Sequence, residues 1–396
     1  MSLLGSTTGS NKDMSNPYAF KFTCYGQKLS FFTQKLLSAL KWYDLEVHNN
    51  DNTTTTINTN NRYFPDTHEY KNKSGANGKM LESRSGTHQI PILETPEGWI
   101  VNDSTPILLH LDTRLETSML YPGTPFTKCV VALIEEYFDE WMARLTIHTR
   151  WYDDDTARYV ARELIKGSSA TQVSEDVLNT IVNSKASPII WGRKAIRALG
   201  MTSLTQRMEG EKELVRIYTE LETTLRTRKY VMGNFPCAVD AALMGGLVAH
   251  FLNDPYPKKL LSSLSRVKAY ASRRFPVMFS NQTSYSSSIT SELPPFFEFV
   301  LREMSSNGYI DFVKNNRDAI FKKQKAFIAT VYQERVSYLA RPYVEKSRRM
   351  LQHHTATFLR NAPHDRKRYI QLLEKYNLRE LYEPQLYATQ QQLSKI

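Results

Sequence analysis

A chain of 396 residues, 41% apolar and 23% charged, has room for two domains, because a single core rarely grows past about 250–300 residues. Its three cysteines, Cys24, Cys129 and Cys237, lie far apart and form no CxxC. That argues against a disulfide framework and a zinc site and fits a reducing compartment. The longest apolar stretch, Ala241 to Leu252, holds His250 and two glycines and is far short of the roughly 20 residues of a membrane span.

In chain order, residues 1–19 are Ser-rich, lack the apolar segment of a secretory signal and read as a disordered lead-in. FKFTCY alternates and predicts a strand. SFFTQKLLSALKWY places Phe32, Leu36, Leu37 and Leu40 at helical spacing, with Ser30 at the N-cap. DLEVH reads as a second strand. Residues 49–78 are polar and of low complexity, and read as a loop insertion. KMLESRSG is a short helix stopped by Gly86. HQIPILE and WIVN are hairpin strands joined at Thr95-Pro96-Glu97-Gly98, and DSTPILLHLDTRL is the next helix.

The order over residues 20–118 is therefore β-α-β-α-β-β-α, and YPGTPF (121–126) is a linker. From 126 to 280 the chain reads as all helical. Val130, Ile134, Phe138, Trp141 and Leu145 form one stripe. Further helices are expected at 154–166, 189–199, 209–227, 240–252, 263–274, 294–305, 310–325 and 342–359, the last three in a helical extension over 281–396. Of the net charge of +11, nine units lie from Leu301 on, where eighteen Lys and Arg face nine Asp and Glu. This basic quarter reads either as solvated helix faces or as a partner surface.

Proline removes a ladder donor, so Pro91 is out of place inside a strand. A β-α-β-α-β-β-α unit with proline opening its third strand is what a thioredoxin-like domain looks like. A cis Ile90–Pro91 bond would turn the backbone of Ile90 outward, where it could pair with an extended peptide.

LSFFTQKLLSAL (29–40), HQIPILETPEGWIVNDSTPILLHLD (88–112) and YVMGNFPCAVDAALMGGLVAHF (230–251) occur in the order and spacing of the glutathione S-transferase superfamily, and the chain resembles that family over roughly residues 20–280. The resemblance implies an α/β thioredoxin-like N-terminal domain followed by an all-α C-terminal domain. It implies glutathione as co-substrate, held by Gln89, Ile90, Pro91, Asp103 and Ser104, and a homodimer as the family's common state. Free N–H groups at a helix N-terminus bind a carboxylate, and Ser104 adds a hydroxyl. Asp103 would pair with the ligand's ammonium. Either residue could instead cap its helix.

Ser30 stands where thioredoxin-like redox enzymes carry their first cysteine. Without a thiol, dithiol chemistry is not expected. A serine hydroxyl and the helix dipole can instead lower the pKa of a bound thiol from about 8.5 toward neutrality and let the thiolate attack an electrophile. Ser30 as a simple N-cap and Tyr25 as a rival donor stay open. Cys24 reads as a buried apolar residue.

Where the family places Ser or Thr three residues before Asp, this chain has Cys237 and Asp240, which weakens the forward half of a capping box. The electrophile is expected beside Tyr137, Trp141, Arg144 and His148, with Arg150 and Trp151 nearby; the same residues would also serve as helical core. Asp153–Asp155 and His353–His354 lack the spacing of a metal site, so no metal is expected. The expected function is glutathione binding and conjugation to a small hydrophobic electrophile in the cytoplasm, with mitochondrial association as a variant. The rival is a non-catalytic interaction module of the same fold, and no base-reading motif points to nucleic acid.

Overall fold

The computed structural model describes residues 22–43, 82–87, 89–95, 97–115, 118–168, 173–274 and 293–384. The expected lead-in, the second strand at 44–48, the insertion at 49–78 and most of the polar loop after 280 lie outside the described residues.

Three short strands, β1 (Thr23–Tyr25), β2 (Ile92–Glu94) and β3 (Ile100–Asn102), form an antiparallel sheet in the order β1-β2-β3. Cys24 faces Leu93, which faces Val101. Helices α1 (Phe31–Trp42) and α2 (Ser104–Arg114) pack on one another and on the sheet. They bury Leu36, Leu37, Leu40 and Trp42 against Ile107, Leu108 and Leu111. Residues 82–85 make one helical turn that ends at Gly86, whose φ of 69° suits glycine. This is the thioredoxin-like arrangement, and an all-helical body follows it.

The body begins with α3 (Pro125–Tyr137), a wide turn over Phe138–Met142, and α4 (Ala143–Trp151), which form one long rod. Then come α5 (Asp154–Ser168), α6 (Glu175–Val182), α7 (Pro188–Ala198) and α8 (Leu204–Thr224). Helix α9 (Ala238–Gly246) runs into a second wide turn, Leu247–Phe251, followed by α10 (Pro255–Leu260) and α11 (Ser265–Ala271). At the start of α9, Asp240 makes the backward half of the cap by accepting from the Cys237 N–H at 2.8 Å. It also accepts from the Val231 N–H and the Tyr270 hydroxyl.

The C-terminal extension departs from expectation. It contains α12 (Pro295–Ser306), α13 (Tyr309–Phe321), α14 (Pro342–Phe358), α15 (Pro363–Lys375) and α16 (Arg379–Tyr382), but also an antiparallel hairpin of β4 (Ala326–Val331) and β5 (Glu334–Leu339). The helix expected over 310–325 therefore stops at Phe321. AFIATV and ERVSYL alternate strictly in burial, and Tyr332 and Gln333 turn the chain with φ of 49° and 63°. The hairpin packs Phe327 and Tyr338 on Phe312 of α13.

The extension is joined to the body through core and through buried polar bonds. Helix α14 lies against α3. Buried Glu213 of α8 accepts from Trp141 Nε1 at 2.9 Å, from Asn307 Nδ2 at 2.7 Å, and from the hydroxyls of Tyr137 and Tyr332. Helix α1 docks on α9 just as closely. A Cβ on Gly245 would lie 2.8 Å from the backbone oxygen of Phe31. Because Phe31 opens α1, the glycine sets how near the strand-to-helix turn comes to the body. Gly245→Val is expected to cost about 1–3 kcal/mol by overpacking, read as a lower midpoint in chemical denaturation.

Candidate functional site

The strand-to-helix turn at Ser30 is fixed from two sides. Ser30 caps α1, its Oγ accepting from the Thr33 N–H at 3.3 Å. Buried Arg150 of α4 donates to the Leu29 carbonyl at 2.6 Å, to the Ala249 carbonyl at 2.6 Å and to Asp254 at 2.7 Å. An arginine on the body thus holds the residue before Ser30 in place. Accepting one bond leaves the Ser30 hydroxyl its proton to donate. The rival Tyr25 is buried, and its hydroxyl donates to Glu94 at 2.7 Å. Cys24 is buried in the core, and burial pushes its thiol up to about 12.

The Ile90–Pro91 bond is cis. Gln89 is exposed, Ile90 half-buried and Pro91 buried. Asp103 stands between β3 and α2 with φ of 74° and ψ of 129°, and its side chain makes no cap bond to α2. Pro106, the third residue of α2, has no N–H. The N–H groups of Ser104 and Thr105 find no acceptor among the described residues, so a helix N-terminus offers two donors where a capping side chain would have used one.

The Asp103 carboxylate turns instead to the hydroxyl of Tyr343, the second residue of α14. Burial raises the Asp103 carboxyl above its usual range, while the Tyr343 bond and the charge of Lys35 work the other way.

Behind α2 lies a buried ionic cluster. The fully buried Lys35 of α1 places Nζ 2.6 Å from Glu135 and 2.5 Å from Asp139, and donates to Thr105 Oγ1 at 3.1 Å. The Thr105 hydroxyl lies 2.9 Å from Glu135 and 3.1 Å from Asp139. Tyr121 donates to Glu135 at 2.6 Å, and Ser347 of α14 to Glu136 at 2.5 Å. Asp139 and Glu140 both sit in the wide turn between α3 and α4. Burial opposes the charge of Lys35, but Asp139 and Glu135 outweigh it and hold the ammonium protonated. Burial pushes Asp139 and Glu140 up to about 7, against the pull of Lys35 on the first and of Arg341 on the second.

Tyr137, Trp141, Arg144 and His148 face the interior. Arg144 stacks its guanidinium 3.5 Å over the Trp141 ring and donates to the Tyr332 hydroxyl at 3.3 Å. His148 is buried, with Nε2 3.4 Å from Glu211. Through Glu213 and Tyr332, Tyr137, Trp141 and Arg144 form an internal framework that seats the hairpin turn on the body, and His148 lies buried beside α8. Trp151 packs against Trp191. Asp153 caps α5 by accepting from the Thr156 N–H at 2.8 Å, and Asp154 pairs with Arg193. The rings of His353 and His354 stand 6.2 Å apart on one helix. No group of three or more His, Cys, Asp or Glu among the described residues could hold a metal ion.

Sequence reasoning missed Lys35, Thr105, Asp139, Glu140 and Tyr343. Lys35 carried a faint signal, a lone cation inside the apolar run around Leu36 and Leu37. Tyr343 carried none, since it meets Asp103 across 240 residues.

No protein-family model matches the sequence, and no curated protein is recognisably similar to it. Similar solved structures do exist. The beta-etherase LigF from Sphingobium sp. strain SYK-6 is 16% identical, with TM-score 0.40, covering 72% of this chain and 99% of that one. Poplar glutathione transferase F1 is 14% identical, with TM-score 0.36, covering 71% and 96%. Gtt2 from Saccharomyces cerevisiae is 14% identical, with TM-score 0.35, covering 70% and 99%. At these identities and scores they are likenesses and carry no chemistry to this chain.

Two expectations follow from the cluster. Lys35→Met leaves Glu135 and Asp139 buried without their cation and is expected to cost about 3–5 kcal/mol in thermal or chemical denaturation. The second concerns pH. A carboxyl raised to about 7 in the fold keeps a proton that the unfolded chain has already lost. Its contribution is therefore full at low pH and is lost as pH rises through that value. His250 and His354, held near 4 by burial, act in the opposite sense, and their contribution is lost as pH falls below the ordinary histidine range. From about pH 8 to about pH 6 the carboxyls dominate, so the protein gains stability, and Glu140→Gln should reduce that gain in urea titrations at the two values.

Proposed function

We propose that this chain binds glutathione between the cis-prolyl loop and the N-terminus of α2, and that Ser30 readies its thiol for attack on a small electrophile. The observation that carries the reading is the pair of unclaimed N–H groups on Ser104 and Thr105, beside the cis Ile90–Pro91 bond and an Asp103 held at positive φ. A γ-glutamyl carboxylate would accept from those two donors, with the Ser104 hydroxyl as a third. Its ammonium would pair with Asp103. The ligand's extended backbone would bond to Ile90 as an added strand.

At the other end, the Ser30 hydroxyl donates to the thiol sulfur at the head of α1. Hydrogen bond and dipole together favour the thiolate, which then attacks the electrophile. Arg150 supports this by fixing the Leu29 carbonyl and hence the turn. Tyr137, Trp141, Arg144 and His148 are buried behind the site and are not part of the electrophile's pocket in this reading.

A second reading, a non-catalytic interaction module of the same fold, is favoured by one contact. The Tyr343 hydroxyl already occupies the Asp103 carboxylate that the ligand's ammonium would use. Calorimetry with reduced glutathione, followed by conjugation of an aryl halide, separates the two. On the catalytic reading, Asp103→Asn weakens binding by about 10–100-fold, the worth of a hydrogen bond to a charged group. Ser30→Ala keeps binding but slows conjugation by a similar factor. Binding with turnover ends the module reading, and absence of binding by the unaltered chain ends the catalytic one.

A further inference from the structure

The β4–β5 hairpin buries only one face. Phe327, Ala329, Val331, Val336 and Tyr338 point to the core. The opposite face holds Ala326, Ile328, Thr330, Arg335, Ser337 and Leu339, all exposed. In the register Ala326 faces Leu339 and Ile328 faces Ser337, so Ile328 and Leu339 are diagonal neighbours on that face. They are 51% and 54% exposed. Phe321, which ends α13 at the open end of the hairpin, is 82% exposed, more than any other large apolar residue described.

Lys322, Lys323, Gln324 and Lys325 follow Phe321, all exposed. The segment is tied down, not dangling. Gln324 N–H donates to the Ala319 carbonyl at 2.8 Å, and Ala340 N–H to the Lys325 carbonyl at 2.9 Å. Phe321 and the lysines are thus held at the end of the hairpin where Leu339 lies. None of the three lysines has an acidic partner among the described residues. The nearby Asp318 is engaged by Arg317.

We infer that this end of the hairpin is a docking surface for an anionic lipid bilayer. An exposed aromatic and two exposed aliphatic side chains suit the boundary between headgroups and acyl chains, and a fringe of unpaired lysines suits anionic headgroups. The charge favours an anionic partner, and the apolar side chains favour a bilayer over a nucleic-acid backbone, which would leave them in water. No described helix is long and apolar enough to cross a membrane, so the contact is peripheral. The inference is independent of glutathione binding, because the hairpin face shares no residue with the Ser30–Asp103 site.

Cosedimentation of the full chain tests it, using vesicles of phosphatidylcholine alone and of equal parts phosphatidylcholine and phosphatidylserine. The expected result is binding to the mixed vesicles only, weakened by salt. Each lysine near an anionic surface gives about a fivefold gain, so the triple variant K322Q/K323Q/K325Q should bind about a hundredfold more weakly. F321S/L339S should bind more weakly as well. Unchanged thermal melts of both variants would show that the fold is intact. No binding to the mixed vesicles, or binding that both variants leave unchanged, overturns the inference. So does binding of wild type to a nucleic-acid oligomer, abolished in the triple variant, while vesicles stay unbound.

Discussion

One buried ammonium holds this molecule's site together. Lys35 is planted in the first helix of the sheet domain, and both carboxylates that satisfy it come from the long helical rod of the body. A cation out of water is stable only with such partners at such distances. The pairing therefore fixes how the two parts of the chain face each other, and Thr105 brings the start of α2 into the same network. The turn at Ser30 is held to the body by a second buried cation, Arg150. Both ends of the proposed ligand's track are thus set by ionic bonds to one rod.

The wide turn at Phe138–Met142 brings two acids to this junction. Regular helices rarely accommodate such turns, which recur at functional sites. Here it sets Asp139 and Glu140 beside Lys35 and Arg341, and burial leaves both carboxyls near neutrality. The extension completes the junction. Through Tyr343 on Asp103 and Ser347 on Glu136, α14 becomes part of the site's wall. Any ligand that takes Asp103 has to displace or share a tyrosine hydroxyl, so the extension enters the energetics of binding from outside the sheet domain.

The described elements before residue 115 were well marked in the sequence. The alternation of FKFTCY, the proline at 91 and the Asp-Ser before an apolar run each have a local physical cause, and each lies close to its expected place. The helices were legible through their stripes, although α6 and α10 of the body and α15 and α16 of the extension went unread because they are short or strongly charged. The hairpin was missed although AFIATV and ERVSYL alternate plainly; the basic residues around them had suggested helix faces. The stripe of Tyr137, Trp141, Arg144 and His148 suits a helical core as well as a pocket. The distant partners Glu213, Asn307 and Tyr332 show that Tyr137, Trp141 and Arg144 hold the hairpin turn in place. Tertiary pairs such as Lys35 with Asp139 and Tyr343 with Asp103 leave no periodic trace, so a single sequence does not reveal them.

The most direct test of this account is a crystal structure of the chain with S-methylglutathione. It should show the γ-glutamyl carboxylate on the N–H groups of Ser104 and Thr105, the ammonium on Asp103, and the Tyr343 hydroxyl shifted from its present bond. A saturating soak that leaves those donors empty and Tyr343 on Asp103, or that places the ligand elsewhere, would contradict it.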